Sequence, residues 1–344
     1  MIRNSPRNKP LIASAQGVLA AVLAIGATAT CPTVLGAVPA AAAAIICGPG
    51  SVVVAESGSG GGGSGPGSVT CYPPGSTGDA VPTQSFSKVM SGPDALAFDS
   101  SGDLWVGNYE SDKLVEYPKA QLSKASPVPG VVISAGAGNS PNEPASLTFD
   151  RSGDLWVANQ GPGTVTEYSQ AQLTKSGSPA PYKTISYSGS SPVAVRFDRS
   201  GDLWVSNTDR VVELTKAELA KADPAPSVVI SLVSFSGYAN DIAFDQQGNL
   251  WAANNAGTLV ELTKAQLAHS GAPSPHVTIS DLSLSSPSGL ALDSSGDLWL
   301  SEPGNAVVEF TKAQLAKSGS HTPARTVSGP KTGLNSPGDI AIAP

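Results

Sequence analysis

The side chains with the clearest capacity for chemistry are amides and carboxylates that close a recurring hydrophobic segment. The segment reads LWVGN, LWVAN, LWVSN, LWAAN and LWLSE along the chain, and VVVAE near the N-terminal end resembles it. Oxygen atoms gathered in this way can coordinate a hard cation or bind a polar ligand. The Asn members have a second interpretation, because Asn also stabilises turns through its own backbone. The closing residues are Glu56, Asn108, Asn159, Asn207, Asn254 and Glu302.

A second polar set opens another hydrophobic segment of the same units, such as PDALAF or PGDIAI. Its members are Asp94, Asn240, Asp241, Ser288 and Asp339. Several aromatic residues fall in nearby loops, namely Tyr109, Tyr187, Phe235 and Tyr238. Exposed aromatics beside Asp and Asn suit a carbohydrate, peptide or protein ligand, and ordinary loop packing is the alternative. We predict ligand contacts for both polar sets, Ser288 excepted, and for Tyr109 and Tyr238.

Nucleophilic and zinc chemistry find little support in the chain. The three His residues lie in or near polar linkers, at His269, His276 and His321. A lyase or a Ser–His mechanism needs His beside the reacting group. GxSxG, HExxH and a Cys pair at zinc spacing are all missing from the sequence. We therefore predict no catalytic residue.

The elements that position these residues follow from an internal repeat. The five Trp residues recur at intervals of 51, 48, 47 and 48 residues, which is typical of propeller blades. Each unit reads as a strand such as DALAFD, a Ser-Gly-Asp turn, a strand such as DLWVGN, a strand such as KLVEY and a Pro-flanked strand. Four short strands joined by close turns predict one antiparallel blade.

The order of strands predicts where a site lies. The first strand of a unit runs toward the FDxSGD turn and the second runs back, so the start of one and the end of the other share a face. Both polar sets should therefore ring the mouth of a central channel. The turn acids, including Asp103 and Asp297, are better explained as hairpin residues, because a turn repeated in every unit is a folding device.

Short linkers after the third strand predict small helices. TKAEL and TKAQL at Thr215, Thr263 and Thr311 carry the capping-box pattern, and SQAQL at Ser169 is a variant. The third strand contributes one Glu per unit, which we expect to pair with Lys or with backbone. Helices this short need packing to persist.

The two ends of the chain together predict a sixth blade. SPGDIAIAP from Ser336 matches only a first strand, whereas segments beginning at Ser51, Gly67 and Pro82 match the other three. The predicted fold is thus all-β, a six-bladed β-propeller of four-stranded antiparallel blades. It comprises residues 45–344, with 45–91 and 335–344 forming the mixed closing blade. Such closure removes the open edges of an array.

The units PxxLAFDxxGxLWVAN resemble the NHL-type repeat over about 300 residues, and exported bacterial proteins with AQL-type linkers are similar. The resemblance implies a six-bladed propeller. It does not select an activity, because related propellers include gluconolactonase-type metal-dependent hydrolases, virginiamycin B lyase and pure binding modules. By repeat phase, the gluconolactonase-type resemblance implies metal ligands at Glu56, Asn159, Asn207 and Glu302.

Residues 1–44 predict an export signal. Arg3, Arg7 and Lys9 precede an uncharged apolar run, and an uncleaved anchor or a lipid anchor at Cys31 is the alternative. We expect a secreted, periplasmic or envelope-associated monomer in which a disulfide between Cys47 and Cys71 is allowed. A net charge of −7 and 14% charged residues argue against a nucleic-acid partner.

These observations favour an exported binding or scaffold module that uses the channel-mouth face, with a protein, peptide or carbohydrate as ligand and no cofactor. A metal-dependent hydrolase or lactonase, or a lyase, is the alternative. It would use the mouth carboxylates and a divalent cation such as Ca²⁺.

Overall fold

The computed structural model describes residues 47–58, 67–136, 140–186, 191–232, 239–280 and 285–344. Alternating β-branched and small residues form short strands throughout these ranges. The chain starts with three strands of the closing blade: β1 (Val52–Glu56), β2 (Ser68–Tyr72) and β3 (Gln84–Phe86). The predicted export signal, Tyr187, Phe235 and Tyr238 lie outside the described residues.

Five complete blades follow, numbered in chain order. Blade 1 contains β4 (Pro93–Phe98), β5 (Leu104–Asn108), β6 (Lys113–Tyr117) and β7 (Val131–Ser134). Blade 2 contains β8 (Pro144–Phe149), β9 (Leu155–Asn159), β10 (Thr164–Tyr168) and β11 (Lys183–Ser186). Blade 3 contains β12 (Pro192–Phe197), β13 (Leu203–Asn207), β14 (Arg210–Leu214) and β15 (Val228–Ser231).

The last two blades have the same plan with one addition. Blade 4 contains β16 (Ala239–Phe244), β17 (Leu250–Asn254), β18 (Thr258–Leu262) and β19 (Val277–Ser280). Blade 5 contains β20 (Gly289–Leu292), β21 (Leu298–Glu302), β22 (Ala306–Phe310) and β24 (Arg325–Ser328), and its linker carries the two-residue β23 (Gly319–Ser320), which belongs to the sheet of blade 4. The short β23 pairs in parallel with β19 of blade 4. The final strand is β25 (Pro337–Ile342).

The predicted closure is confirmed, because β25 and the first three strands form one sheet in the order β25-β1-β2-β3. β25 runs antiparallel to β1, with Val52 opposite Ile342 and Val54 opposite Ile340. The first strands of adjacent blades contact each other all the way round, with β25 between β20 and β4. The protein is therefore a closed all-β propeller of six blades.

The hydrophobic core lies between blades rather than within one. The second strand of each complete blade is buried along its whole length. The Trp residue of each of these strands packs toward a neighbouring blade. The Trp204 ring meets Phe244 of blade 4 edge-on, with ring centroids 5.8 Å apart. Trp156 meets Phe197 in the same way at 5.8 Å. Adjacent blades therefore stabilise each other through shared apolar layers.

The FDxSGD segments form the predicted hairpin turns. In blade 1 the Asp99 Oδ1 atom accepts the backbone N–H groups of Ser101 and Asp103. Gly102 adopts φ 82°, which a residue with a side chain rarely tolerates. Asp103 Oδ1 then accepts the N–H of Lys119 at the start of the linker helix.

The predicted linker helices are confirmed as α1 (Lys119–Leu122), α2 (Lys216–Leu219), α3 (Lys264–Leu267) and α4 (Lys312–Leu315), with a 3₁₀ turn at Gln172–Thr174 in blade 2. A second 3₁₀ turn covers Tyr109–Ser111. Thr263 and Thr311 form complete capping boxes. Among the described residues no helix is long and apolar enough to cross a membrane. Cys47 and Cys71 form a disulfide.

Candidate functional site

A register shift at the start of four innermost strands leaves one extra residue on each strand, namely Asp94, Ala145, Val193 and Asn240. In β4 the shift lies between Pro93 and Ala95, and equivalent shifts occur in β8, β12 and β16. A bulge of this kind places an extra side chain on the strand and redirects it. The channel consequently contains a polar cavity of about 210 Å³, lined by Asp94, Asn240, Asp241, Ser288 and Asp339 among others.

One guanidinium spans this part of the channel. Arg196 of β12 places Nη2 2.9 Å from Asp241 Oδ2 and 3.5 Å from Asp339 Oδ1. Its Nη1 donates to Ser146 Oγ at 2.7 Å and to the carbonyl of Val195 at 2.9 Å. The side chain thereby connects blades 2, 3 and 4 with the closing blade.

The two carboxylates that pair with Arg196, Asp241 and Asp339, also form hydrogen bonds to the backbone of neighbouring blades. Asp241 Oδ2 accepts the N–H of Leu290 in blade 5 at 2.9 Å. Asp339 Oδ2 accepts the N–H of Leu96 in blade 1 at 2.9 Å. Hydrogen bonds from backbone N–H groups favour the ionised form of each carboxylate. Both side chains therefore contribute to the contact between blades as well as to the charge of the channel.

Burial dominates the electrostatics of the channel. Burial, together with the nearby Asp339 carboxylate, raises the pKa of Asp94 to about 7. Burial also raises the pKa values of Asp241 and Asp339, although Arg196 acts in the opposite direction on both. Arg196 pairs with Asp241 and Asp339, whereas the Asp94 side chain forms no ion pair or hydrogen bond with another described residue. Asp94 is therefore the channel acid with spare capacity for a ligand.

Above Asp94 lies a larger cavity of about 920 Å³ at the channel mouth. It is lined by four carboxylates and one phenol: Asp94, Tyr109, Glu110, Asp112 and Glu143. Its other described lining residues are Ser, Gly, Pro and Asn, so no cation faces the four acids within the described part of the wall. Asp94 and Ser288 line both cavities.

The acidic wall of the mouth cavity is held in place by its own hydrogen bonds. Asp112 Oδ1 accepts the N–H of Glu143 at 2.8 Å, and Tyr109 Oη donates to Glu143 Oε2 at 3.1 Å. Burial raises the pKa of Tyr109 to about 12, and the charge of Glu143 contributes. The phenol therefore remains a neutral donor at physiological pH. Asp112 and Glu143 both adopt positive φ, at 53° and 49°.

The residues that end the second strands lie beneath the mouth rather than in it. All six are buried, with exposed fractions of 0 to 3%. Asn108 Oδ1 accepts the N–H of Ser91, and Glu302 Oε2 accepts that of Ser285. Asn159 and Glu56 bind the N–H groups of Asn142 and Asn335 in the same way.

These four acceptors bind equivalent positions. Each donor lies two residues before the Pro that precedes or opens an innermost strand. The side chains therefore fix the crossover segments that form the mouth. Asn207 and Asn254 instead accept N–H groups of Arg210 and of Ala256 and Thr258, which is the turn role that the sequence offered as an alternative.

Glu56 has the most perturbed environment of this group. Burial raises the pKa of Glu56 to about 8, while hydrogen bonds from Asn335 N–H and Thr70 Oγ1 act to lower it. The Asn335 bond is 2.7 Å and the Thr70 bond is 3.0 Å. Because Asn335 lies just before β25, this carboxyl group sits at the junction that closes the ring.

Sequence reasoning missed four residues that the structure brings to the channel or its mouth: Glu110, Asp112, Glu143 and Arg196. The three acids occur once each in loops, where no repeat marks them. Arg196 had a usable signal. The equivalent position of the other innermost strands holds Ala or Thr, so a single Arg there is conspicuous once the repeats are aligned.

Two acidic clusters on the hairpin face bring carboxylates close enough to hold an ion: Asp198 with Asp202 and Glu213, and Asp293 with Asp297 and Glu309. In the second cluster each carboxylate already has a partner. Asp293 Oδ1 accepts the N–H groups of Ser295 and Asp297, and Glu309 forms a 2.8 Å ion pair with Arg325. In blade 4 the Glu of the third strand, Glu261, has a different partner: His276 Nδ1 lies 2.7 Å from Glu261 Oε2.

Comparison with known proteins bears on the fold. Neither a family model nor a curated protein matches the chain. Among solved structures, a nidogen/laminin complex is 12% identical with a TM-score of 0.58 and covers 86% of this chain and 99% of that one. A protein of unknown function from Bacteroides caccae is 15% identical with a TM-score of 0.58, over 85% of this chain and 98% of that one.

Lyase structures are also similar. Virginiamycin B lyase from Staphylococcus aureus is 14% identical with a TM-score of 0.50, over 72% of this chain and 73% of that one. A streptogramin B lyase structure is 16% identical with a TM-score of 0.50, over 70% of each chain. At these identities the similarity shows the shared fold, which hosts both lyases and binding proteins. The chain is thus a six-bladed propeller with distant resemblance to both kinds.

Proposed function

We propose that this protein is an exported binding module whose channel mouth takes a cationic group, an amine or a guanidinium, of its ligand. The observation that carries the proposal is the set of four carboxylates around the mouth cavity, with no cation among the described residues that line it. Carboxylates held this close in a partly desolvated cavity repel one another, and a bound cation relieves the repulsion. The Cys47–Cys71 disulfide supports export to an oxidising compartment.

Asp94 gives the proposed site a pH dependence. Its pKa is raised to about 7 by burial and by Asp339, so a fraction of the carboxyl groups is protonated near neutrality. A cationic ligand favours the ionised form and should bind more tightly as pH rises from about 6 to about 8. The Tyr109 hydroxyl stays protonated over this range and does not contribute to the slope.

The metal-dependent hydrolase is less well supported by the channel. Arg196 already places a positive charge between Asp241 and Asp339, where a divalent ion would need their oxygens. A lyase would need His at the mouth, but no His lines the mouth cavity among the described residues. His276 and His321 instead contact Glu261 and the carbonyl of Lys317 in the linkers.

The test uses spermidine as a cationic probe, measured by calorimetry at low salt. Asp94→Asn and Glu110→Gln should each weaken binding by about tenfold, and Asp94→Asn should remove the increase between about pH 6 and pH 8. Asp223→Asn is the matched control, because it removes one carboxylate charge at an exposed linker position. Equal affinity in all four proteins would contradict the proposal. Tight binding of Ca²⁺ alone, lost in Asp94→Asn, would favour the hydrolase instead.

A further inference from the structure

The outermost strand of a blade has one edge that no strand of its own sheet covers, and most blades cover it with the linker of the next blade. In blade 1, Val132 N–H donates to Ser176 Oγ at 3.0 Å. Gly177 N–H donates to the Val132 carbonyl at 3.0 Å, and Ser134 N–H donates to the Gly177 carbonyl at 2.9 Å. A Ser-Gly pair after the linker helix thus acts as a short added strand.

The same cover recurs around the ring. In blade 3, Val229 N–H donates to Ser270 Oγ, and Gly271 bridges the strand from the following linker. In blade 4, Thr278 N–H donates to Ser318 Oγ, and Ile279 pairs with Gly319. In blade 5, Gly78 of the closing blade bridges Val327.

Blade 2 departs from this rule. The following linker carries Ala222 and Asp223 where the linkers of blades 2, 4 and 5 carry Ser and Gly. Within the described residues neither of them bonds to β11. The two segments are joined instead by Lys183, whose Nζ donates to the carbonyls of Leu219 and Lys221. Thr184 is exposed, whereas the equivalent Val132 is half-buried.

The register shows which backbone groups this leaves open. Glu167 pairs with Lys183 as Glu116 pairs with Val131, so Thr184 corresponds to Val132. The N–H and C=O of Val132 face the added segment. By this equivalence the same groups of Thr184 face solvent and are available to an incoming strand.

A basic groove of about 650 Å³ runs beside this edge. Its wall contains four cationic side chains, those of Arg151, Lys183, Lys216 and Lys221, and two acidic ones, those of Asp150 and Glu167. Asp150 Oδ1 is engaged by the N–H groups of Ser152 and Asp154. Tyr182, just before β11, is 71% exposed and lines the same groove. A local excess of cations is unusual on a chain with net charge −7.

We propose that the outer edge of β11 binds an extended, acidic segment of a partner protein by strand addition. The open N–H and C=O groups of Thr184 supply the main-chain hydrogen bonds, and the groove cations attract the acidic side chains. A second copy of this chain would bring the same four groove cations toward one another, so like charges disfavour that occupant.

The acidic preference belongs to this edge in particular. The closing blade has a comparable junction, where Gln84 Nε2 donates to the carbonyl of Lys124 and Ser85 is exposed. The exposed residues flanking that strand include the apolar Val81 and Val89 and one cation, Lys88. The flanks of that strand therefore supply a single cation, whereas four cationic side chains line the β11 groove.

The test restores the missing cover. Ala222→Ser with Asp223→Gly recreates the Ser-Gly pair that the linkers of blades 2, 4 and 5 carry. The probe is an acetylated and amidated hexapeptide of alternating Glu and Val. We expect it to bind the native protein and to bind the double variant at least about tenfold more weakly. Asp223→Asn is the matched control, because it removes the same charge without the cover and should bind as the native protein does or better.

Two further measurements separate strand addition from charge attraction. A peptide of alternating Lys and Val, or the Glu peptide N-methylated at alternate residues, should bind at least about tenfold more weakly than the Glu peptide. Hydrogen exchange on the native protein should be faster at Thr184 N–H than at Val132, Val229 and Thr278, and peptide should slow it. This second readout holds even if the double variant fails to fold.

The proposal is overturned by any of three results. These are equal peptide affinity of the native protein and the covered variant, an unchanged affinity for the N-methylated peptide, and exchange at Thr184 as slow as at Val132. Concentration-dependent dimerisation that Ala222→Ser with Asp223→Gly abolishes would assign the edge to a second copy and would also overturn it.

Discussion

The carboxylates of the channel and those of the hairpin turns show how one repeat supports two kinds of residue. A turn acid such as Asp99 or Asp293 recurs in every complete blade and binds backbone N–H groups of its own hairpin. A channel acid such as Asp241 or Asp339 has no counterpart in most blades and bonds to a neighbouring blade. Recurrent acids therefore make a blade, whereas singular acids connect blades and provide charge for binding.

The largest expected effect comes from removing one connecting strand. Deletion of Ser336–Pro344 removes β25, with its pairing to β1 and the bond from Asp339 to Leu96. Because each blade is stabilised by its neighbours, we expect a loss of at least about 5 kcal/mol, comparable to the whole stability of many domains. Thermal unfolding should detect it. A synthetic peptide of residues 336–344 should restore part of the stability, and an unchanged melting temperature after deletion would refute the closure argument.

The next effect isolates the charge at the centre of the channel. Arg196→Met should cost about 3–5 kcal/mol near pH 8, because it leaves Asp241 and Asp339 buried without their guanidinium. The loss should shrink as the pH falls and the two acids take up protons. Arg151→Met, at an exposed hairpin position, is the matched control and should change stability by less than about 0.5 kcal/mol. Similar losses in both variants would abolish the distinction between channel and hairpin.

A smaller effect is expected from Glu56, whose contribution to stability should depend on pH in the opposite direction from that of an acid in a salt bridge. Burial raises the pKa of Glu56 from its ordinary value of 4.5 to about 8. An acid whose pKa is raised by folding stabilises the protein below its unfolded pKa, and that stability is lost as the pH rises through the folded pKa. Glu56→Gln should therefore match the native protein at about pH 4.5 and exceed its stability by about 1–2 kcal/mol at about pH 8.5. Denaturant unfolding at both pH values checks this, and parallel pH profiles would contradict it.

The fold could be predicted from the sequence because each repeat unit independently indicates the same four-stranded blade. Strand order, hairpin turns, linker helices and the closing blade all follow from aligned units, and even the fragmentary match at Ser51 was enough to place β1. The strand order also predicts which face carries the candidate site. The direction of individual side chains could not be predicted, because a bulge between Pro93 and Ala95 decides which residue enters the channel. Glu56 and Asn108 reach the correct end of their strands, yet they lie under the crossover segments.

The mouth acids were beyond sequence reasoning for a related physical reason. Glu110, Asp112 and Glu143 meet only because the turn between β5 and β6 converges with the crossover into blade 2, where Asp112 accepts the N–H of Glu143. Contacts between loops of different blades have no periodic signature. The ligand preference depends on the charges that these loops bring together. The proposed preference for a cationic group therefore rests on the structure and not on the repeat.

The smallest effect tests the hairpin side of the comparison. Asp297 Oδ1 accepts the N–H of Lys312 at the start of α4 with a 2.7 Å bond, so Asp297→Ala should cost about 1 kcal/mol. Asp297→Asn should cost much less, because blade 4 already uses Asn249 Oδ1 to accept the N–H of Lys264 at 3.0 Å. Neither change should alter spermidine binding, since Asp297 lies on the opposite face of the blade from the mouth. Denaturant unfolding and calorimetry measure the two properties on the same samples. If Asp297→Asn destabilises as much as Asp297→Ala, the carboxylate charge matters in the turn, and the simple division between backbone-binding and charge-bearing acids would have to be given up.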